Sequence, residues 1–243
     1  MNFDEMENPP HYQTKKEIDQ PARKVQIIEL AVFLFLILPP MATSFLIHDQ
    51  SRLGFKTGAT FSILSDLGLI SLIFYFIWRN REPLHCIGLT RRNLPKEAAW
   101  GLVLFLPMMY ATNLLSGVLH AAGFSSPTKL PSFLVATGHA GLFMAVVLVI
   151  VVAFAEETLF RGYLIRRFNT ATQRPWAAVI FSALIFSVGH GYEGMAGVIS
   201  IFCLGIALAV IYLWRKSLVA PMIIHFCIDF SSIVLAAWLV TGA

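Results

Sequence analysis

Apolar residues in this chain come in long blocks, and the polar positions fall between them or, at a few places, deep inside them. A block of about 20 apolar residues is the length of a bilayer-spanning helix. The blocks predict spans at about Val25 to Ile47, Gly58 to Trp78, Ala98 to Leu119, Ala140 to Ile165, Trp176 to His190, Met195 to Trp214 and Leu218 to Val240. Pro39-Pro40 should kink or break the first span, and Pro107 lies inside the third. His120 to His139, with Pro127, Pro131 and Gly123, reads as a long connection with room for an interfacial turn. The fold class expected is all-α: a polytopic membrane bundle of about seven helices. Its parts are a polar tail (1–24), two N-terminal spans with a basic loop (25–96) and a core (97–240).

Composition supports the blocks. The chain is 57% hydrophobic and 13% charged, with mean hydropathy +0.70, whereas soluble domains carry about 25% charged residues. The basic residues also set an orientation. With the N-terminus inside, the inner side holds Lys15, Lys16, Arg23, Lys24, Arg79, Arg81, Arg91, Arg92, Lys96, Arg161, Arg166, Arg167, Arg174, Arg215 and Lys216. The outer side holds Arg52, Lys56 and Lys129. This is a strong positive-inside bias. Dispersed in this way, the net charge of +4 suits anionic lipid and gives no nucleic-acid signal. Cys86, Cys203 and Cys227 lack metal or redox spacing and read as packing residues. No cleavage site follows the first span, which reads as a retained helix.

The chemistry concentrates in the polar positions inside the spans. Glu156, Glu157 and Arg161 interrupt the fourth, and an ionisable group at mid-membrane costs about 2.5–3.5 kcal/mol on insertion scales. Glu157 and Arg161 share a helix face and can pair. Glu156 is rotated about 100° away and is the carboxylate left over. His190 comes late in the fifth span, and His225 and Asp229 share a face of the seventh. At 1.5 Å per residue from the inner ends, Glu156 lies ~15 Å deep, His225 ~14 Å, Asp229 ~20 Å and His190 ~24 Å. One Glu, two His and an Asp facing each other supply a base for water and donors for an oxyanion. Three other readings compete: a structural polar cluster, a zinc site built on the two histidines and a carboxylate, and a proton-coupled transporter. Asp66, inside the second span, reads either as a functional group or as a residue near a water-facing edge of the bundle, the second being favoured. His11, His48, His85, His120 and His139 read as surface residues.

In order, Glu156-Glu157-x-x-x-Arg161, Phe186-x-x-x-His190 and His225-x-x-x-Asp229 resemble the three-part signature of the CPBP family of intramembrane proteases. That family includes the type II CAAX prenyl endopeptidases and bacteriocin-immunity proteins. The resemblance spans about 97–235. It implies an all-helical glutamate-type protease in which Glu156 and His190 activate water, His225 and Asp229 form the oxyanion side, and Glu157 and Arg161 support them. No cofactor is expected, and zinc stays possible. The prenyl endopeptidases carry Asn where this chain has Asp229. An ionised Asp only accepts hydrogen bonds, so Asp229 must be protonated or must orient His225.

The activity expected is therefore hydrolysis of a peptide bond in a membrane-associated substrate, with a prenylated CAAX-type protein as one form. The alternative is a non-catalytic membrane protein for bacteriocin self-immunity or partner stabilisation. The expected partners are the lipid bilayer and a lipidated or membrane-bound peptide. The expected location is a bacterial plasma membrane.

Overall fold

The computed structural model describes residues 23–46, 54–126 and 134–241, and among them every regular element is helical. The helices are α1 (Arg23–Thr43), α2 (Phe55–Arg79), α3 (Leu94–Ala121), α4 (Gly138–Glu156), α5 (Ile165–Thr172), α6 (Pro175–Val188), α7 (Gly194–Arg215), α8 (Val219–Asp229) and α9 (Ala236–Thr241). A π-helical stretch, Glu157–Leu164, joins α4 to α5, and another, Phe230–Leu235, joins α8 to α9. Six of these continuous helices are long and apolar enough to cross a membrane. The chain is an integral multi-pass membrane protein. Residues 1–22 of the expected tail, Ile47 and the middle of the His120–His139 connection lie outside the described residues.

The bounds differ from the sequence reading in physical ways. Pro39 and Pro40 stay inside α1, which tightens to a 3₁₀ turn only at Ser44–Leu46. The fourth span runs on to Thr172 because Arg166 and Arg167 find partners inside the protein. The fifth is shorter than expected. Pro175 opens α6 at a position that needs no amide hydrogen. The helix stops at Val188 after 14 residues, leaving His190 in the turn that follows.

Lipid-like exposure and burial divide along these helices. Phe35, Phe61, Tyr110 and Phe143 are exposed, as lipid-facing apolar residues should be. The largest buried cluster gathers Phe33 of α1, Ile73 and Ile77 of α2, Phe160, Tyr163 and Leu164 of the π segment, and Phe186 of α6. α2 lies along α4, α3 along α8 and α7, and α6 against α5 and α7. Gly162 lets the π segment touch the loop before α3, where an added Cβ would meet the Ile87 carbonyl at 2.6 Å.

The Arg-rich end is locked by buried ion pairs. Arg167 is fully buried, and its Nη2 lies 2.9 Å from both Glu29 Oε2 and Glu82 Oε1. Arg79 and Asn80 donate to Glu29 Oε1, each at 2.7 Å, and Arg166 donates to Glu82 at 2.9 Å. Arg215 grips Glu97 through two bonds of 3.0 and 2.7 Å. Several cations that set the positive-inside bias are thus neutralised within the protein.

Candidate active site

The two glutamates sit where α4 gives way to the π segment. A π turn offsets the residues after it from the α-helical register, and such turns recur at functional sites. Glu157 is fully buried and points into the protein. Its Oε1 accepts from Arg161 Nη1 at 2.8 Å, the pair that their spacing predicts. The same oxygen lies 2.8 Å from His225 Nδ1. Glu157 therefore does more than neutralise Arg161, since it also fixes the ring of a histidine on α8.

Because Nδ1 of His225 is committed to Glu157, Nε2 is the atom turned toward the centre. It lies 3.4 Å from Asp229 Oδ2 and 3.6 Å from Glu156 Oε2. Glu156 Oε2 is buried and has no hydrogen-bond partner among the described residues. The carboxylate that helix geometry leaves without a partner on its own helix has His225 beside it in the fold.

His190 arrives from α6. Its Nδ1 lies 3.0 Å from the Phe186 carbonyl, which can only accept, so the ring carries a hydrogen there, and in the neutral ring Nε2 is the acceptor. The turn behind it is pinned from the first helix. Ser44 Oγ donates to the Val188 carbonyl at 2.7 Å and accepts from the Gly191 amide at 3.0 Å. Phe186 sits among the polar groups. The Arg161 guanidinium lies 4.2 Å from its ring centre, and the rings of His190 and His225 lie 5.0 and 5.9 Å from it.

Glu156, Glu157, Arg161, His190, His225 and Asp229 therefore come together from α4, the π segment, the turn after α6, and α8. Sequence reasoning missed the supporting residues. Ser44 carries no motif. Tyr192 and Glu193 are a hydrogen-bonded pair just after His190, and both feel the charge of Asp229. A polar Tyr-Glu pair beginning an apolar block was the available signal. Asp66, expected at a water-facing edge, is half-buried and feels the charges of Glu156 and His225. For the zinc reading, no group of three or more His, Cys, Asp or Glu side chains among the described residues is arranged to hold a metal ion.

The described residues form an all-helical membrane bundle with a Glu/His cluster where its helices meet. Residues 138–231 match the family described as type II CAAX prenyl endopeptidase Rce1-like, a protease family, and this stretch holds all six cluster residues. No curated protein and no solved structure matches the chain.

Proposed function

We propose that this protein is an intramembrane endopeptidase that cleaves a peptide bond near the C-terminus of a lipidated or membrane-bound substrate, with glutamate-activated water as the nucleophile. The observation that carries this reading is Glu156. Its Oε2 is buried, has no hydrogen-bond partner among the described residues and lies 3.6 Å from His225 Nε2. Water placed beside it loses a proton to the carboxylate as its oxygen attacks the scissile carbonyl. His190 supports this, because Nε2 of its neutral ring is an acceptor that can hold the water's second hydrogen. His225, oriented by Glu157, presents Nε2 to the centre and stabilises the developing oxyanion. Collapse of the tetrahedral intermediate breaks the C–N bond and gives a carboxylic acid and an amine.

Asp229 takes the orienting role in this scheme rather than that of an oxyanion donor, since its carboxylate faces His225 at 3.4 Å. The Rce1-like match of residues 138–231 supports a prenylated CAAX-type substrate, and the basic-residue bias supports a plasma membrane with the N-terminus inside. The test is cleavage of farnesylated CAAX peptides by the purified protein in detergent. Glu156→Gln keeps the shape of the side chain, removes the base and abolishes cleavage while folding is kept. An immunity or scaffold protein keeps its phenotype in the same variant. Full cleavage by Glu156→Gln removes the glutamate mechanism.

A further inference from the structure

Asp66 is the intramembrane carboxyl that this scheme leaves unused. It lies on α2, outside the stretch that matches the protease family. Its place on the helix can be read from what packs on either side. Ala59, Ile63, Asp66, Ile70, Ile73 and Ile77 form one stripe at helical spacing. Toward the start of α2, Ala59 and Ile63 pack in a cluster with Leu148, Val149 and Val152 of α4. Toward its end, Ile73 and Ile77 pack in a cluster with Phe160, Tyr163 and Leu164. Asp66 stands between the two clusters, and on the facing helix the position between Val152 and Phe160 is Glu156. Depth agrees. Asp66 is 13 residues from Arg79, where α2 ends, about 20 Å along the axis and level with Asp229. Glu156 and His225 are the charged groups that it feels most.

The cluster around Glu156 is rich in acceptors. In the resting cluster the carboxylates of Glu156 and Asp229 and Nε2 of a neutral His190 ring all accept, so the proton for the departing amine comes either from Glu156 once it has taken water's proton or from a separate acid. Two carboxyl groups facing each other away from water are not both ionised. A neutral acid is also the form of aspartate that a membrane span tolerates best.

Resting on the hydrolytic reading above, we infer that Asp66 is a further catalytic residue, the acid that protonates the departing amine. Water adds to the carbonyl carbon and its proton passes to Glu156. The C–N bond then breaks, and the nitrogen takes the proton of the Asp66 carboxylic acid. Glu156 returns its proton to the Asp66 carboxylate across the α2–α4 interface, and both groups are reset.

An acid is needed for an amine to leave and hardly needed for an alkoxide of lower basicity. The experiment compares a farnesylated CAAX peptide with its depsipeptide, in which oxygen replaces the scissile nitrogen. Asp66→Asn should lose about 10²-fold in kcat on the amide, the lower end for a general acid. It should keep KM and stay within a few-fold of wild type on the ester. Glu156→Gln should lose both activities. Equal losses of amide and ester cleavage in Asp66→Asn, or no loss of either, overturn the role of Asp66 and leave Glu156 untouched. Wild-type rates in Glu156→Gln overturn the glutamate mechanism, and no cleavage of either substrate by the wild-type protein overturns the hydrolytic reading itself. A second measurement needs neither turnover nor a folded variant. An apolar carbodiimide, which adds to protonated carboxyl groups, should modify Asp66 of the folded wild-type protein, as read by peptide mass mapping. An Asp66 that stays unmodified while the reagent labels other intramembrane carboxyls overturns the donor role.

Discussion

At the scale of single residues, the decisive atom is Glu157 Oε1, which serves Arg161 and His225 at 2.8 Å each. Pairing of Glu157 with Arg161 was legible from their spacing. The bond to His225 was not, because it joins positions 68 apart on helices whose packing no local pattern specifies. The two hydrogen bonds to one oxygen change what substitution should do. Arg161→Ala strands a buried carboxylate, and breaking such a pair costs about 3–5 kcal/mol. Adding Glu157→Gln should restore part of the folded yield, read by fluorescence-detected size-exclusion chromatography. It should not restore cleavage, because His225 loses the acceptor that orients it. Recovery of both together would mean that the His225 contact is dispensable. Asp229→Asn should keep most activity, since Glu157 still holds the ring and the amide oxygen can still accept from Nε2. His225→Ala should lose about 10²–10³-fold, as removal of an oxyanion donor does. A collapse of activity in Asp229→Asn would make the carboxylate charge itself essential.

At the scale of elements, the helices α4 and α5 form one continuous unit that carries chemistry in its middle and a lock at its end. The lock is Arg167 between Glu29 and Glu82. Sequence reading placed Arg166 and Arg167 at the membrane face as topology signals, because a basic pair after an apolar block has that meaning by default. The acids that bury them come from α1 and from the turn after α2, and acids so far away in sequence leave no trace in local periodicity. Arg167→Ala should lower thermal stability by an amount equivalent to about 3–5 kcal/mol, while folded protein measured well below its melting range keeps its kcat. A fall in kcat without a fall in Tm would instead tie the lock to the reaction. Gly162→Ala tests the same unit from its side. A Cβ there meets the Ile87 carbonyl at 2.6 Å, and overpacking of this kind costs about 1–3 kcal/mol. Its effect should appear as reduced folded yield.

At the scale of the whole molecule, the class was legible: blocks of apolar residues give apolar helices, and several of the polar interruptions gather in one cluster. The helix that the blocks misjudged is α6, whose apolar run reaches His190 while its helix ends at Val188. Composition cannot reveal where a backbone turns when Ser44, from a distant part of the chain, supplies the hydrogen bonds that end it. The metal question also belongs at this scale. Chelation of the intact enzyme should leave cleavage unchanged, and metal analysis of active protein should find less than one zinc per chain. Stoichiometric zinc, with activity lost on its removal and restored on its return, would replace the water activated by Glu156 with a metal-bound hydroxide as the nucleophile. The brevity of α6 reaches beyond the protein. Its 14 residues extend only about 21 Å, against a hydrocarbon layer of about 30 Å. Lipid beside this helix must thin, or water must dip toward His190, at a cost of fractions of a kcal/mol per ångström of mismatch. The surrounding lipid then becomes a partner in turnover. Reconstituted in short-chain phosphatidylcholine the enzyme should work faster than in long-chain phosphatidylcholine, because a thinner layer brings both water and a polar peptide nearer to Glu156.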